Sequence, residues 1–113
     1  MDIPFEISDA VVDQLPIISV AGEIDAATSP ALRERLLDQA SKDNPTIVID
    51  LTAVSFLDST ALGTLVSVRQ RCLELGGEVR LVINDPPIIK VFEITGLTEA
   101  FPISSTLDQA VGR

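Results

Sequence analysis

The sequence predicts an α/β fold: a mixed β-sheet of four to five strands with about four helices mainly on one face. Three observations predict it. Strand-like and helix-like segments follow one another in the order β-β-α-β-α-β-α-β-α. Two strands come first with no helix between them, and the later alternation implies parallel βαβ units within a mixed sheet. The run Ile47-Val48-Ile49-Asp50-Leu51 is almost continuously apolar, as expected of a strand buried on both faces. With 113 residues, 46% hydrophobic and 22% charged, the whole of 1–113 reads as a single globular domain.

The elements follow in order. Ile3, Phe5 and Ile7 alternate with Pro4, Glu6 and Ser8, which predicts a first strand, with a turn within Asp9 to Asp13. Ile17-Ile18-Ser19-Val20-Ala21 is a second strand, ended by Gly22. Ser29 caps a first helix with Pro30 at its first position, and Leu32, Leu36 and Ala40 form its buried stripe beside Leu37. Asn44-Pro45 breaks that helix ahead of the apolar strand. A second helix runs from about Ser59 to Leu75, with Leu62, Leu65, Val66, Arg69, Cys72 and Leu73 at its apolar spacing and Gly76-Gly77 at its end. Val79-Arg80-Leu81-Val82-Ile83 is a further strand. Pro86-Pro87 opens a short helix with Ile88, Val91 and Phe92 on one face, stopped by Gly96. Ala100-Phe101-Pro102-Ile103 is a short edge strand, where a proline is tolerated. Ser105-Thr106-Leu107-Asp108 resembles a capping box with Asp in place of Glu, and the last helix buries Leu107, Ala110 and Val111.

Composition excludes whole classes of chemistry. There is no His, so Ser-His-Asp hydrolysis, His-ligated zinc and imidazole proton shuttling are out. Cys72 is the lone cysteine and can form neither an intrachain bridge nor a Cys-rich metal site. A net charge of −9 repels nucleic-acid phosphates and anionic lipid, and the few aromatic residues are all Phe. No apolar run is long enough to span a membrane, and the start at Met1-Asp2 is acidic where a signal peptide is basic. The expectation is a cytoplasmic protein with no nucleic-acid partner, no membrane insertion and no cofactor.

The segment from Phe56 to Leu65 joins a buried strand to a helix start. Asp58 or Ser59 can cap that helix, and Ser59 lies in its first turn, where a phosphoryl group would meet free N–H groups and the positive end of the helix dipole. From Ser59 to Val68 the helix carries no charge. Thr60, Gly63, Thr64 and Ser67 share the face opposite Leu62, Leu65 and Val66. A face this small admits either a partner's backbone or another part of the same chain. In Gly22-Glu23-Ile24-Asp25 two carboxylates flank an isoleucine. They suit an acidic rim that meets a partner's Arg or Lys better than a glycosidase pair or a metal site. A Ser59 nucleophile lacks a base at any motif-like spacing, so no enzymatic activity is expected.

Together these residues resemble the STAS-domain family, most closely its bacterial anti-sigma factor antagonists. The matching segments are Gly22–Asp25 with Thr28 and Pro30, Val48–Leu51, Val54–Gly63, Gly76-Gly77 and Val91–Leu97, in family order along nearly the whole chain. The resemblance implies a partner switch. Unphosphorylated, such a protein binds an anti-sigma factor that is also a serine kinase, and a sigma factor is released. Phosphorylation of the serine after the aspartate, here Ser59 with Thr60 as second candidate, breaks the complex, and a serine phosphatase resets it. Glu23, Asp25, Asp58, Ser59, Thr60, Ala61, Gly63, Thr64 and Ser67 would form the partner-binding surface of a monomer or weak homodimer. Close members usually have Gly where this chain has Ala61. The alternative is a STAS adaptor subunit of a transporter or larger signalling complex, without phosphorylation.

Overall fold

The structure, a computed structural model, describes residues 3–112. Met1 and Asp2, which carry the acidic start, lie outside the described residues, as does Arg113. Strands β1 (Glu6–Val12), β2 (Leu15–Ile24), β3 (Ile47–Leu57), β4 (Val79–Val82) and β5 (Ile103–Ser104) form one sheet in that spatial order. β1 pairs antiparallel with β2, and the pairings β2–β3, β3–β4 and β4–β5 are parallel. Helices α1 (Ser29–Gln39), α2 (Ser59–Glu74) and α3 (Pro86–Ile94) connect the strands, and α4 (Leu107–Val111) closes the chain.

Strand alternation sends side chains into two cores. Ile18, Val20, Ile24, Ile47, Ile49, Leu51 and Leu81 pack with Leu32 and Leu36 of α1, Leu65, Val68 and Cys72 of α2, and Ile88 and Phe92 of α3. On the other face Ile17, Val48 and Val82 pack with Ala110 of α4. So α1 to α3 cover one face and α4 part of the other, and Ile47-Val48-Ile49 is buried on both sides. Phe92 and Phe101 meet edge to face at 6.2 Å within the larger core.

Several boundaries differ from the sequence reading. The first strand covers Glu6–Val12 rather than Ile3 to Ser8, and Asp9 to Val12 is strand, not turn. The turn is Asp13-Gln14, with φ of 52° and 70° at its two residues. It closes a two-residue hairpin whose last pair is Val12 with Leu15. Such turns favour Asn and Gly, so Asp-Gln carries little signal. Gly22 does not end β2. It lies inside the strand at φ +92°, where a Cβ would come within 2.9 Å of the Ile3 and Pro4 carbonyl oxygens. β3 continues six residues past Leu51, to Leu57.

Among the helices, Ser29 is the buried first residue of α1 rather than its cap, and Thr28 takes the cap position. Pro30 is therefore second, not first. α1 stops at Gln39, ahead of Asn44-Pro45. In α2 the buried residues are Ala61, Thr64, Leu65, Val68 and Cys72, whereas Val66 and Leu73 are exposed and Leu62 only half-buried. The buried stripe is thus rotated from the expected one, because α2 lies against both the sheet and α1. A 3-10 turn, Leu97–Glu99, follows α3 and was not expected. The edge strand is Ile103–Ser104, not Ala100 to Ile103, although the Pro102 carbonyl still accepts the Leu81 N–H. The last capping box lies one residue later. Thr106 accepts from the Gln109 N–H, and Gln109 Oε1 accepts from the Ser105 N–H.

The end of α2 sets the spacing between helix and sheet. Gly76 at φ +94° donates to the Leu73 carbonyl and Gly77 to the Cys72 carbonyl, a Schellman pair. A Cβ on Gly77 would sit 2.2 Å from the Pro45 carbonyl. Gly77→Ala should therefore lower the unfolding free energy by about 1–3 kcal/mol in urea denaturation. Gly63, with nothing within 4 Å of its would-be Cβ, should behave oppositely. Gly63→Ala should raise stability by about 1 kcal/mol.

Burial pushes the Cys72 thiol above its ordinary value, against a smaller pull downward from Arg71. The raised value means the folded state holds the thiol proton more tightly. Its contribution is complete below the ordinary thiol range and is lost as pH rises through the raised value. Native protein should accordingly resist thiol-specific reagents at neutral pH. Labelling should follow the rate of unfolding when denaturant is added, read by mass spectrometry.

Candidate docking edge

β2 and β3 end side by side. Ile24 pairs with Leu57, and the Asp58 N–H donates to the Ile24 carbonyl at 3.2 Å. Both strands then turn outward into α1 and α2, so two loops and two helix starts meet at one edge.

Each loop is held by an aspartate. Asp25 Oδ1 accepts from the N–H groups of Ala27 at 2.9 Å and Thr28 at 3.1 Å. Thr28 Oγ1 in turn accepts from the Asp25 N–H at 2.9 Å and donates to the Glu23 carbonyl at 3.0 Å. Asp58 caps α2, its Oδ1 accepting the Ala61 N–H at 3.0 Å. Its negative charge also sits favourably at the positive end of the helix. The cap leaves Ser59 and Thr60 as the first two helical residues, both exposed.

The nine residues singled out from the sequence do not share one surface. Glu23, Ser59, Thr60 and Gly63 are exposed, and Asp58 is half-buried. Asp25 lies at the same edge, but one carboxylate oxygen is engaged inside its own loop. Ala61 is fully buried, and its methyl packs in the core. Thr64 is only 8% exposed and Ser67 half-buried, both on the α1 side of α2. There Arg33 reaches Ser67 Oγ at 3.4 Å. The uncharged face is therefore divided. Thr64 and Ser67 face a helix of the same chain, while Gly63 faces outward.

The sequence reading missed Phe56. It pairs with Glu23 in the β2–β3 register and is 48% exposed, beside the loop that carries Asp58. Val66 of α2 is also exposed. The available signal was Phe56 itself, a large aromatic in an otherwise small and polar segment. Among the described residues, no group of three or more His, Cys, Asp or Glu is placed to hold a metal ion. No described helix is long and apolar enough to cross a membrane. Chemically, the edge offers an exposed hydroxyl at a helix start, with acidic and apolar side chains around it.

A family model described as STAS domain matches residues 6–110. The chain is 41% identical over 109 residues to the anti-sigma-B factor antagonist of Listeria monocytogenes, covering 93% of this chain and 91% of that one. It superposes on the crystal structure of an anti-sigma factor antagonist from Mycobacterium paratuberculosis with a TM-score of 0.82 and 34% identity, covering 97% and 92% of the two chains. The phosphorylated form of the Bacillus cell fate determinant SpoIIAA matches with a TM-score of 0.70 over 97% of this chain and 98% of that one. At 23% identity that last likeness is one of fold.

The two aspartates differ in what a substitution removes. Asp58→Ala should cost about 0.5–2 kcal/mol of stability through the lost cap, with Asp58→Asn recovering most of it. Asp25→Asn should likewise retain the loop and Asp25→Ala loosen it, seen as faster amide exchange at Ala27 and Thr28.

Proposed function

Because the chain belongs to the STAS-domain family of anti-sigma factor antagonists, we propose that Ser59 is the switch through which phosphorylation controls its partner. The protein acts as an anti-sigma factor antagonist regulated by phosphorylation, and it has no catalytic role of its own. The observation that carries the assignment of Ser59 is its place. It is exposed at the first position of α2, directly after the aspartate that caps the helix.

In the unphosphorylated state the edge docks on an anti-sigma factor that is also a serine kinase, and the sigma factor is freed. Glu23, Asp58, Ser59 and Thr60 supply the polar part of the contact, and Gly63 leaves room for close approach. Phe56 and Val66 supply apolar area, which buries favourably when water leaves. Asp25 and Ala61 support the edge from within, and Thr64 and Ser67 border it on the α1 side.

Phosphorylation adds about −1.5 to −2 charge to a surface already acidic at Glu23 and Asp58. It also adds bulk where the partner's backbone must approach. Like charges pressed together in a desolvated contact disfavour the complex. The first turn of α2 can accommodate the phosphoryl group, since helix N-termini favour anions. The fold therefore survives while the complex does not, and a serine phosphatase restores the docking form.

Titration calorimetry with the cognate anti-sigma factor tests this. Ser59→Ala should bind within about threefold of the unmodified protein, and Ser59→Asp should bind at least about tenfold more weakly, a loss of roughly 1.4 kcal/mol. Equal binding by the two variants would show that Ser59 is only part of the helix start. Kinase-treated protein should carry its phosphate on Ser59 in tandem mass spectrometry, and Ser59→Ala should abolish the modification. Transfer to Thr60 in the unmodified chain would move the switch by one residue.

A further inference from the structure

Alternation sorts the side chains of β1, β2 and β3 onto two faces. Ile7, Ile18, Val20, Ile24, Val54 and Leu57 point into the core beneath α1 to α3. The opposite face is read from the register. There Ser8 pairs with Ser19 and Ser19 with Asp50, Glu6 with Ala21 and Ala21 with Ala53, and Glu23 with Phe56. α4 covers this face only at its other end, where Ala110 packs with Ile17, Val48 and Val82. The remainder is open. Glu6, Ser8, Glu23, Ala53 and Phe56 are exposed, and Ser19, Ala21 and Asp50 are half-buried.

The charge on this face has one sign. β1, β2 and β3 contain no Lys or Arg, although an edge strand such as β1 commonly carries Lys. Among the described residues the cations belong to α1, α2, α3 and the loop after α1, Arg80 of β4 apart. Arg80 is already engaged, donating to Glu78 Oε2 at 2.8 Å and to the Ala110 carbonyl at 2.9 Å. Glu6, Glu23 and Asp50 are therefore answered by no cation on their own strands. Asp50 is held in place, its Oδ1 accepting from the Thr52 N–H at 3.0 Å and the Thr52 hydroxyl at 2.7 Å. These acids surround a centre of different character. Ala21 and Ala53 form a low floor, and Phe56 stands beside it with 48% of its surface exposed. An aromatic left in water on a flat surface is the side chain with most to gain from being covered.

We propose that this open face of β1 to β3 docks a cationic amphipathic helix of a partner protein, with Phe56 as its anchor. Charge complementarity chooses the occupant. Lys and Arg along the helix margins meet Glu6, Glu23 and Asp50, while its apolar stripe lies on Ala21, Ala53 and Phe56. A second copy of this chain would press the same three acids against their counterparts, and an anionic surface is repelled by them. A helix suits the site because helices already cover the other face of the sheet and α4 packs on this one. Phe56 supplies the large side chain that such contacts concentrate their energy on. The face runs up to the loop that carries Asp58, so it is continuous with the docking edge. It needs no modification at Ser59 and goes beyond the phosphoswitch.

Amide chemical-shift titration of the full chain with a helical Leu/Lys peptide of about 18 residues, five turns long, tests it. Two further peptides serve as comparisons: the same composition scrambled so that no apolar stripe forms, and the same pattern with Glu for Lys. The amphipathic Lys peptide should give saturable shifts confined to Ser8, Ser19, Ala21, Ala53 and Phe56 and their chain neighbours, and the other two should bind at least about tenfold more weakly. Phe56→Ala should weaken the Lys peptide by at least about tenfold, and Glu23→Lys severalfold with a shallower dependence on salt. Both residues are exposed, so unchanged thermal midpoints would keep these losses separate from unfolding. Val66→Ala, exposed on α2, should leave the affinity unchanged. Absence of saturable shifts would overturn the proposal, as would shifts centred on α1 and α2 or equal binding of the scrambled peptide. Concentration-dependent dimerisation abolished by Phe56→Ala would give the face to a second copy and overturn the choice of occupant. None of these readouts involves a kinase, so a failed phosphoswitch and a failed docking face remain distinguishable.

Discussion

The side-by-side ending of β2 and β3 is the constraint on which the rest of the edge depends. Ile17 pairs with Val48 at one end and Ile24 with Leu57 at the other. Between these pairs β3 carries more residues than β2, and two register shifts absorb the difference, between Ser19 and Ala21 and between Gly22 and Glu23. Without them the strands would finish at different levels, and the Asp58 N–H would not meet the Ile24 carbonyl. With them, both loops turn out together and each is closed by an aspartate accepting N–H groups two or three residues on. Ser29 and Ser59 then begin their helices at equivalent positions. One faces the neighbouring helix and is buried, and the other faces outward.

That constraint also explains what was legible in the sequence. The first half of β3 announces itself because Ile47, Ile49 and Leu51 face one core and Val48 the other. After Leu51 the inward residues are Val54 and Leu57, three apart rather than two. The shifts erase strand alternation there, and periodicity stops reporting a strand that continues. The same loss hid Phe56, which became meaningful only as the cross-strand partner of Glu23. The hairpin turn stayed silent for another reason: Gln14 adopts a positive φ where a glycine would normally follow Asp13 and advertise the turn.

Punctuation was more legible than packing. Gly76-Gly77, Pro86-Pro87 and Gly96 mark real helix boundaries, since their backbone requirements are local. Which face of α2 is buried is a tertiary property. α2 must satisfy the sheet and α1 together, and the buried stripe turns toward Thr64 and Val68 in consequence. The small residues that suggested a docking face thus serve two surfaces, and only burial separates them.

The sheet has a further property in its strand order. Spatial order equals chain order, β1 to β5, so every strand pairs with the one made just before it. No strand has to wait for a distant segment or be inserted between two already placed. Loop-closure entropy is met in small instalments, which favours rapid folding for a mostly parallel sheet. A chain emerging from the ribosome can add each strand to a growing edge as it is synthesised. The central strand β3 gains its second neighbour only when β4 arrives, so the edge where β2 and β3 end together can form before the far side of the sheet exists.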